Sequence, residues 1–495
     1  MTVLYGQIKS LYLSPMTAVF LPKARALVLS LVATTALTAC ASQPNLGAPA
    51  GALTPDRLAT AQSFTAPAAA WPADDWWRAY NDAQLNQLID TALAGSPTMA
   101  QAKARLDKAG AQAGVARAAL LPAISAGGQI GEAKQSINMG FPPQFQQFLP
   151  KGWLPDPQVG LNFSYEIDFW GKNRDILAAA TSETQAAAAD AAEARLTLST
   201  TIAATYADLT RLYAERDVAE RSVASRKETF DLADRRVTNG VDTQAELQQA
   251  AAGVPEARAQ MAAIDEQIAL TRNQLAALMG QGPDAGLAIA RPPAVAPKAF
   301  GLPEHLAADL LGRRPDIVAA KWRAEAASKR IGAAKAAFYP NVNLSGLIGY
   351  ETLGLSKFFD PGSSYGNYGA AVSLPIFQGG RLRANLRGAR ADYDDAVASY
   401  DATLVEALRQ VADAAASQRA LTERLAQSRE ALSHDEAAYK VARLRYDGGL
   451  ANYQSVLISE DAVLAARREV ADLEARAFTL DIQLIKALGG GYASA

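Results

Sequence analysis

The hydrophobic positions of this chain follow two rhythms. From Gln158 the stretch QVGLNFSYEIDFWGK puts Val159, Leu161, Phe163, Tyr165, Ile167 and Phe169 on every second position, with Gly160, Asn162, Ser164, Glu166 and Asp168 between them. A period of two predicts a strand with one apolar and one polar face. Three further segments share it. They are Ala123–Ala133, NVNLSGLIGYE from Asn341 (Val342, Leu344, Ile348 and Tyr350 on one face), and YGAAVSLPIF from Tyr368 (Tyr368, Ala370, Val372, Leu374 and Ile376 on one face). The second rhythm is seven. Ile202, Leu209, Arg216, Val223, Phe230 and Val237 form one row, and Val411, Gln418, Leu425, Leu432, Tyr439 and Tyr446 form another. A strict seven-residue repeat predicts long helices packed with a supercoil. Arg216 and Gln418 interrupt the rows, so neither is a dry two-stranded seam. From about Asn173 to Val237, such a helix would rise roughly 100 Å.

The two rows belong to a duplication. SPTMAQAKARLDKAGAQAGVARAALLPAIS from Ser96 aligns with RPDIVAAKWRAEAASKRIGAAKAAFYPNVN from Arg314 at an offset of 218. RRVTNGVDT from Arg235 aligns with LRYDGGLAN from Leu444, and NQLAALMG from Asn273 with IQLIKALG from Ile482, both at an offset of 209. The insert Asn138–Pro157 in the first copy accounts for the shrinkage. Each copy reads as a helix opened by Pro97 or Pro315 and stopped at Pro122 or Pro340, then two strands, then two long helices joined by a short turn. The division of the chain is then 1–39 signal peptide, 40–70 lipidated cysteine and flexible tether, 71–283 first repeat, 284–303 inter-repeat linker, 304–489 second repeat and 490–495 tail. The expected class is mixed, mainly α with membrane β.

Four strands in two hairpins leave two edges. Were the apolar faces packed on a soluble core, the edges would need no closure. Were they in lipid, unpaired backbone is not tolerated and the sheet must close, which four strands cannot do around a lumen, so several chains would pool their hairpins. The N-terminal region favours lipid. Lys23 and Arg25 precede the apolar run Ala26–Ala36, and Leu37-Thr38-Ala39-Cys40 follows, the pattern of a secretory signal ending at a lipidated cysteine. Cys40 is the one cysteine in 495 residues. A multiply acylated Cys40 would anchor firmly, at roughly 0.8 kcal/mol per buried CH₂. Ala41 in place of Asp fits sorting to the outer membrane. The strand residues Leu161, Phe163, Tyr165 and Ile167 would then face lipid, the polar alternation would face water, and Trp170 would sit at the interface.

Composition narrows the chemistry. A net charge of −2 offers no basic field for nucleic acid. One Cys and two His (His305, His434) are too few for a Cys/His zinc site, and no phosphate-binding glycine loop is present, so no cofactor is expected. A hydrolase using one of the His is a competing reading, as is a pore-less lipoprotein spacer.

The motifs WWRAYNDAQLNQLIDTAL (Trp76–Leu93), RRPDI (Arg313–Ile317), AAFYPNV (Ala336–Val342), PIFQGGR (Pro375–Arg381) and LIKALGGGY (Leu484–Tyr492) resemble the TolC-like outer-membrane efflux proteins, in their NodT-type lipoprotein branch. The resemblance covers about Trp76–Tyr492. It implies a homotrimer whose 12-stranded β-barrel continues into a periplasmic α-helical barrel, with no enzymatic chemistry. It also implies an exit duct fed by an inner-membrane pump through a periplasmic adaptor. The insert with FPP and GWLPDP is more similar to members serving major-facilitator (MFS) pumps than resistance-nodulation-division (RND) pumps. By the same resemblance the helix tips would face the adaptor, through Gly240, Val241 and Asp242 in one and Gly449, Leu450 and Asn452 in the other. The periplasmic aperture would fall at VLISEDA, through Ile458, Glu460 or Asp461. The family's usual acidic position there is Ile458 in this chain.

Overall fold

The computed structural model describes residues 44–137, 142–293 and 300–494. Cys40, the signal peptide, and the start of the insert at Asn138 lie outside the described residues. In chain order the elements are α1 (Ala83–Gly95), α2 (Pro97–Ala118), β1 (Ala123–Ala133), β2 (Leu154–Ile167), α3 (Lys172–Thr238), α4 (Gln244–Leu278), α5 (Asp284–Leu287), α6 (Leu306–Arg313), α7 (Pro315–Ala336), β3 (Asn341–Glu351), β4 (Ser364–Ser373), α8 (Arg381–Asp447) and α9 (Tyr453–Ala487). The duplication is exact in length: α3 and α8 each have 67 residues, α4 and α9 each 35.

The chain divides into a sheet unit and a helical unit, and neither coincides with one sequence repeat. The sheet unit takes one hairpin from each copy, in the order β1-β2-β3-β4, all antiparallel. Two expectations shift here. β2 runs Leu154–Ile167 rather than Gln158–Phe169, because Leu154–Pro157 pair with Ile130–Ala133. β4 ends at Ser373, so Leu374 and Ile376 lie beyond it, ahead of the Gly379-Gly380 turn into α8. Trp170 stacks on Tyr339 at 4.6 Å, and its indole N–H donates to Pro340 O at 2.8 Å, while half the ring remains exposed.

The helical unit holds the rest. None of the twelve heptad residues is exposed, and Ile202, Leu209, Val411 and Tyr446 are fully buried. Arg216 is tolerated in its row because it reaches out to Asp265 on α4 at 2.7 Å. Two cores lie along the helices. One joins Trp76, Trp77, Leu85 and Ile89 to Ile202, Tyr206 and Leu275. The other joins Leu306, Leu310 and Ile317 to Leu404, Val411 and Leu488. Local chemistry sets the helix starts. Asp82 caps α1 through Gln84 N and Leu85 N, and also accepts from Tyr206 OH at 2.7 Å; Thr243 and Glu246 form a capping box on α4.

The motifs that resisted a periodic reading are joints. Arg314 of RRPDI is buried and donates to Asp316, to Gln410 Oε1 at 2.9 Å and to Ala487 O at 3.1 Å, so it ties the start of α7 to α8 and to the end of α9. At the other side of that joint Gly489 has φ 87°, and a Cβ there would collide with the Arg313 carbonyl. The first copy repeats the contact: a Cβ on Gly280 would stand 2.8 Å from Pro97 Cδ. Each repeat therefore closes on itself, last helix against first.

The expected flexible tether is corrected for residues 48–70. Leu53, Leu58, Phe64 and Ala66, with Trp71 beyond them, pack against the second core. Leu53 N donates to Asp401 at 2.8 Å, Ala50 N to Asp394 at 3.2 Å, and Arg390 donates to Ala48 O. The Ala, Pro and Gly content suggested a loose chain, but apolar residues spaced through it find a hydrophobic seat and acids on α8 satisfy its backbone.

Candidate functional site

Directly paired residues in an antiparallel sheet share a face. The register pairs Ile124 with Phe163, Ala126 with Leu161, Leu161 with Ile348, Tyr165 with Leu344, Val342 with Val372 and Leu344 with Ala370. One face of all four strands is therefore mainly apolar, with Glu132 at the end of β1 and Ser364 at the start of β4 as its polar members. Leu161, Phe163, Tyr165 and Ile167 lie on it, as the sequence predicts, together with Val159, Tyr350 and Tyr368. The opposite face carries Ser125, Gln129, Asp156, Gln158, Asn162, Ser164, Glu166, Asn343, Ser345, Glu351 and Asn367. Gln158 donates to Glu351 and accepts from Gln129 across the strands. The apolar face is open: Ile124, Ile130, Leu161, Ile348, Tyr368 and Val372 are all exposed. Among the described residues the outer edges of β1 and β4 have no strand partner. An uncovered apolar face with unpaired edges is incomplete in water. Among the described residues no helix is long and apolar enough to cross a membrane.

The helical unit brings the two tips together. Gly240 (φ 73°) and Gly449 (φ 74°) turn the chain in the left-handed region, where glycine is favoured. Beside them Val241 and Leu450 are exposed, Leu450 to 73%. Asn452 is spent on capping α9, accepting from Ser455 N at 3.1 Å. Asp242 does not project outward. Its side chain, 9% exposed, accepts from Arg236 Nε at 2.8 Å and from Tyr446 OH. Arg236 also donates to Tyr446 O at 2.6 Å and lies 4.3 Å from the centre of the Tyr446 ring. The guanidinium holds the Asp242 carboxyl below its ordinary range, while burial raises the Tyr446 hydroxyl. Asp242 is thus a clamp between the first tip and the end of α8. The second tip keeps an open groove of about 670 Å³ along Ala437, Ala438, Val441, Ala442 and Leu450.

The three aperture candidates separate. Ile458 is exposed. Glu460 is 1% exposed and points into the packing between α3 and α9, so it cannot line an opening in this arrangement; burial raises its carboxyl above the ordinary range. Asp461 is exposed and pairs with Arg226 of α3, whose Nε lies 3.7 Å from Glu460. Arg226, Arg236 and Tyr446 were not picked out as site residues. A signal existed for the arginines. Neither has an acid three or four residues away on its own helix, so each must find its counter-charge elsewhere. His305 precedes α6 at φ 55° and His434 is exposed on α8.

Comparison with known proteins agrees with this architecture. A profile described as outer membrane efflux protein matches residues 88–281 and again 306–490, one match per repeat. The chain is 30% identical to the multidrug resistance outer membrane protein MdtP of Escherichia coli K12, over 93% of this chain and 95% of that one. It is 40% identical to the fusaric acid resistance protein FusA of Burkholderia cepacia, over 65% of this chain and 61% of that protein. Among solved structures, the outer membrane protein VceC of Vibrio cholerae superposes with a TM-score of 0.79 at 42% identity, covering 85% of this chain and all of that one.

Proposed function

This chain belongs to the outer membrane efflux protein family, and on that footing we propose how its parts make an export duct. It is a channel component of an efflux system, located in the outer membrane and reaching into the periplasm, and it is not an enzyme. The observation that carries the mechanism is the four-stranded sheet with one mainly apolar face, broken only near its end by Glu132 and Ser364, and two open edges. Three copies, each joining its β4 edge to the next copy's β1 edge, make a closed 12-stranded barrel with every backbone group paired. The apolar faces meet lipid and the polar faces line water. The strands, 10 to 14 residues long, suit a tilted membrane crossing. The paired long helices of three copies continue the duct as a helical barrel.

Val241, Leu450 and the small-residue groove behind Leu450 form the surface for a periplasmic adaptor. The tip clamp of Arg236, Asp242 and Tyr446 holds the two tips in one register beneath it. Ile458, exposed on α9, narrows the aperture as an apolar ring that gates by dewetting. Cys40 carries the lipid. It stands eight residues before Ala48 in the sequence. The named relatives handle fusaric acid and multiple drugs, which fits small drug-like or aromatic cargo delivered by a pump of the MFS type in preference to the RND type. The deciding experiment is the mass of the protein extracted from outer membranes in detergent, followed by bilayer conductance. A conducting trimer is expected. A monomer leaves the sheet edges without closure and turns the reading to a periplasmic spacer.

A further inference from the structure

Between α3 and α9, above the tips, one cation stands between two carboxyls of unequal surroundings. Arg226 bonds Asp461, whose side chain is 60% exposed, and its Nε lies 3.7 Å from Glu460, whose side chain is 2% exposed. Both Glu460 oxygens are sealed from water and lack a hydrogen bond of normal geometry, while the nearby Ser225 hydroxyl favours the charged form and burial opposes it more strongly. The groups around them come from four helices. α3 supplies Ser225 and Arg226, α8 supplies Tyr439 and Arg443, and α9 supplies Tyr453 and Asp461. α4 lays Gly253 against the arginine, where a Cβ would stand 3.2 Å from Arg226 Cδ. Arg443 is engaged with Glu228 at 2.8 Å, and Ser225 with the Tyr439 hydroxyl at 3.0 Å.

We propose that Arg226 is a two-position tie between α3 and α9, bound to Asp461 when Glu460 carries a proton and drawn onto Glu460 when that proton leaves. The physical reason is the difference in surroundings. An ion pair at an exposed carboxylate is screened and contributes little, whereas an ionised carboxylate without hydrogen bonds inside the packing demands a counter-charge. With Glu460 neutral, no buried charge competes for the guanidinium and the contact to Asp461 prevails. With Glu460 ionised, a small rotation of the arginine closes the 3.7 Å gap and exchanges a surface contact for a buried one. Burial raises the Glu460 carboxyl, which moves the exchange toward milder pH than an ordinary glutamate allows. The tie holds the turn of α9 that carries Ile458. That consequence rests on the aperture reading above, but the tie itself does not.

The test is hydrogen exchange on the full chain in detergent, corrected for intrinsic rates, between about pH 5 and pH 8. In the wild type, protection around Arg226 and Glu460 should fall several-fold through one step as pH rises, because the closed state holds the Glu460 proton more tightly than the opened state does. Glu460→Gln should keep the low-pH protection throughout. Asp461→Asn removes the competing carboxylate, so its step should move to lower pH. Retention of the wild-type step in Glu460→Gln, or an unmoved midpoint in Asp461→Asn, overturns the proposal. Should Glu460→Gln fail to fold, the Asp461→Asn midpoint decides alone. Because exchange reads the helices and not transport, a channel that fails to conduct leaves this test intact.

Discussion

At the scale of single residues, the helical unit uses several of its charges to join one segment to another. Asp242 and Arg236 show this at the tip. Asp242→Ala strands a largely covered guanidinium and removes the acceptor of Tyr446 OH. It should weaken the tip by about 1–3 kcal/mol, read as faster hydrogen exchange in the last turns of α3 and α8. The acid response has a definite sign. The Asp242 carboxyl lies below its unfolded value of 3.8, so its contribution is present above that pH and is lost as pH falls through the folded value. Glu460 has the opposite sign. Its folded value lies above 4.5, so the native state holds the proton longer, and stability declines as pH rises through that value. Glu460→Gln should therefore raise the melting temperature more at neutral pH than in acid. An equal change at both would mean that Glu460 does not titrate differently in the folded state.

At the scale of elements, alternation decides what each strand side can accept. Phe163 lies mid-strand on the apolar face, between Ile124 and Gly346. Phe163→Arg should cost assembly roughly 2–4 kcal/mol at mid-membrane, while Asn162→Arg, one residue away on the polar face, should assemble normally. The comparison is made by the yield of assembled oligomer from membranes. Equal yields would show that the apolar face does not meet lipid. The strap offers a second case. Asp394 and Asp401, one heptad apart on α8, accept from Ala50 N and Leu53 N. Replacing both with Ala should expose residues 48–58 to proteolysis without unfolding the helices, because the strap's hydrogen bonds contribute only about 1 kcal/mol each.

At the scale of the whole molecule, the duplication explains how one chain assembles a four-stranded sheet beside two pairs of long helices. Each copy contributes one hairpin to a shared sheet and one pair of long helices, and each is sealed at its own glycine joint. The polar sheet face carries Asp156, Glu166 and Glu351 and no Lys or Arg within the strands. If three such faces line the pore, the reversal potential under a KCl gradient should indicate preference for cations. Neutralising Asp156 and Glu351 should reduce that preference. Anion preference in the native protein would place the polar face elsewhere.

The sequence by itself determined the elements, the duplication, the two faces of the strands and the family. These rest on periodicity and on repeated motifs, which are local or simply additive along the chain. It also marked Leu161, Phe163, Tyr165 and Ile167 for one face, because side-chain direction in a strand follows from position alone. The tertiary structure decided the rest. It joined hairpins 218 residues apart in sequence into one sheet, turned Asp242 inward to Arg236, buried Glu460 beside Arg226 and laid the apparent tether along α8. Burial and counter-charges depend on which helices become neighbours, and nothing in the local sequence around Glu460 or Asp242 names that neighbour.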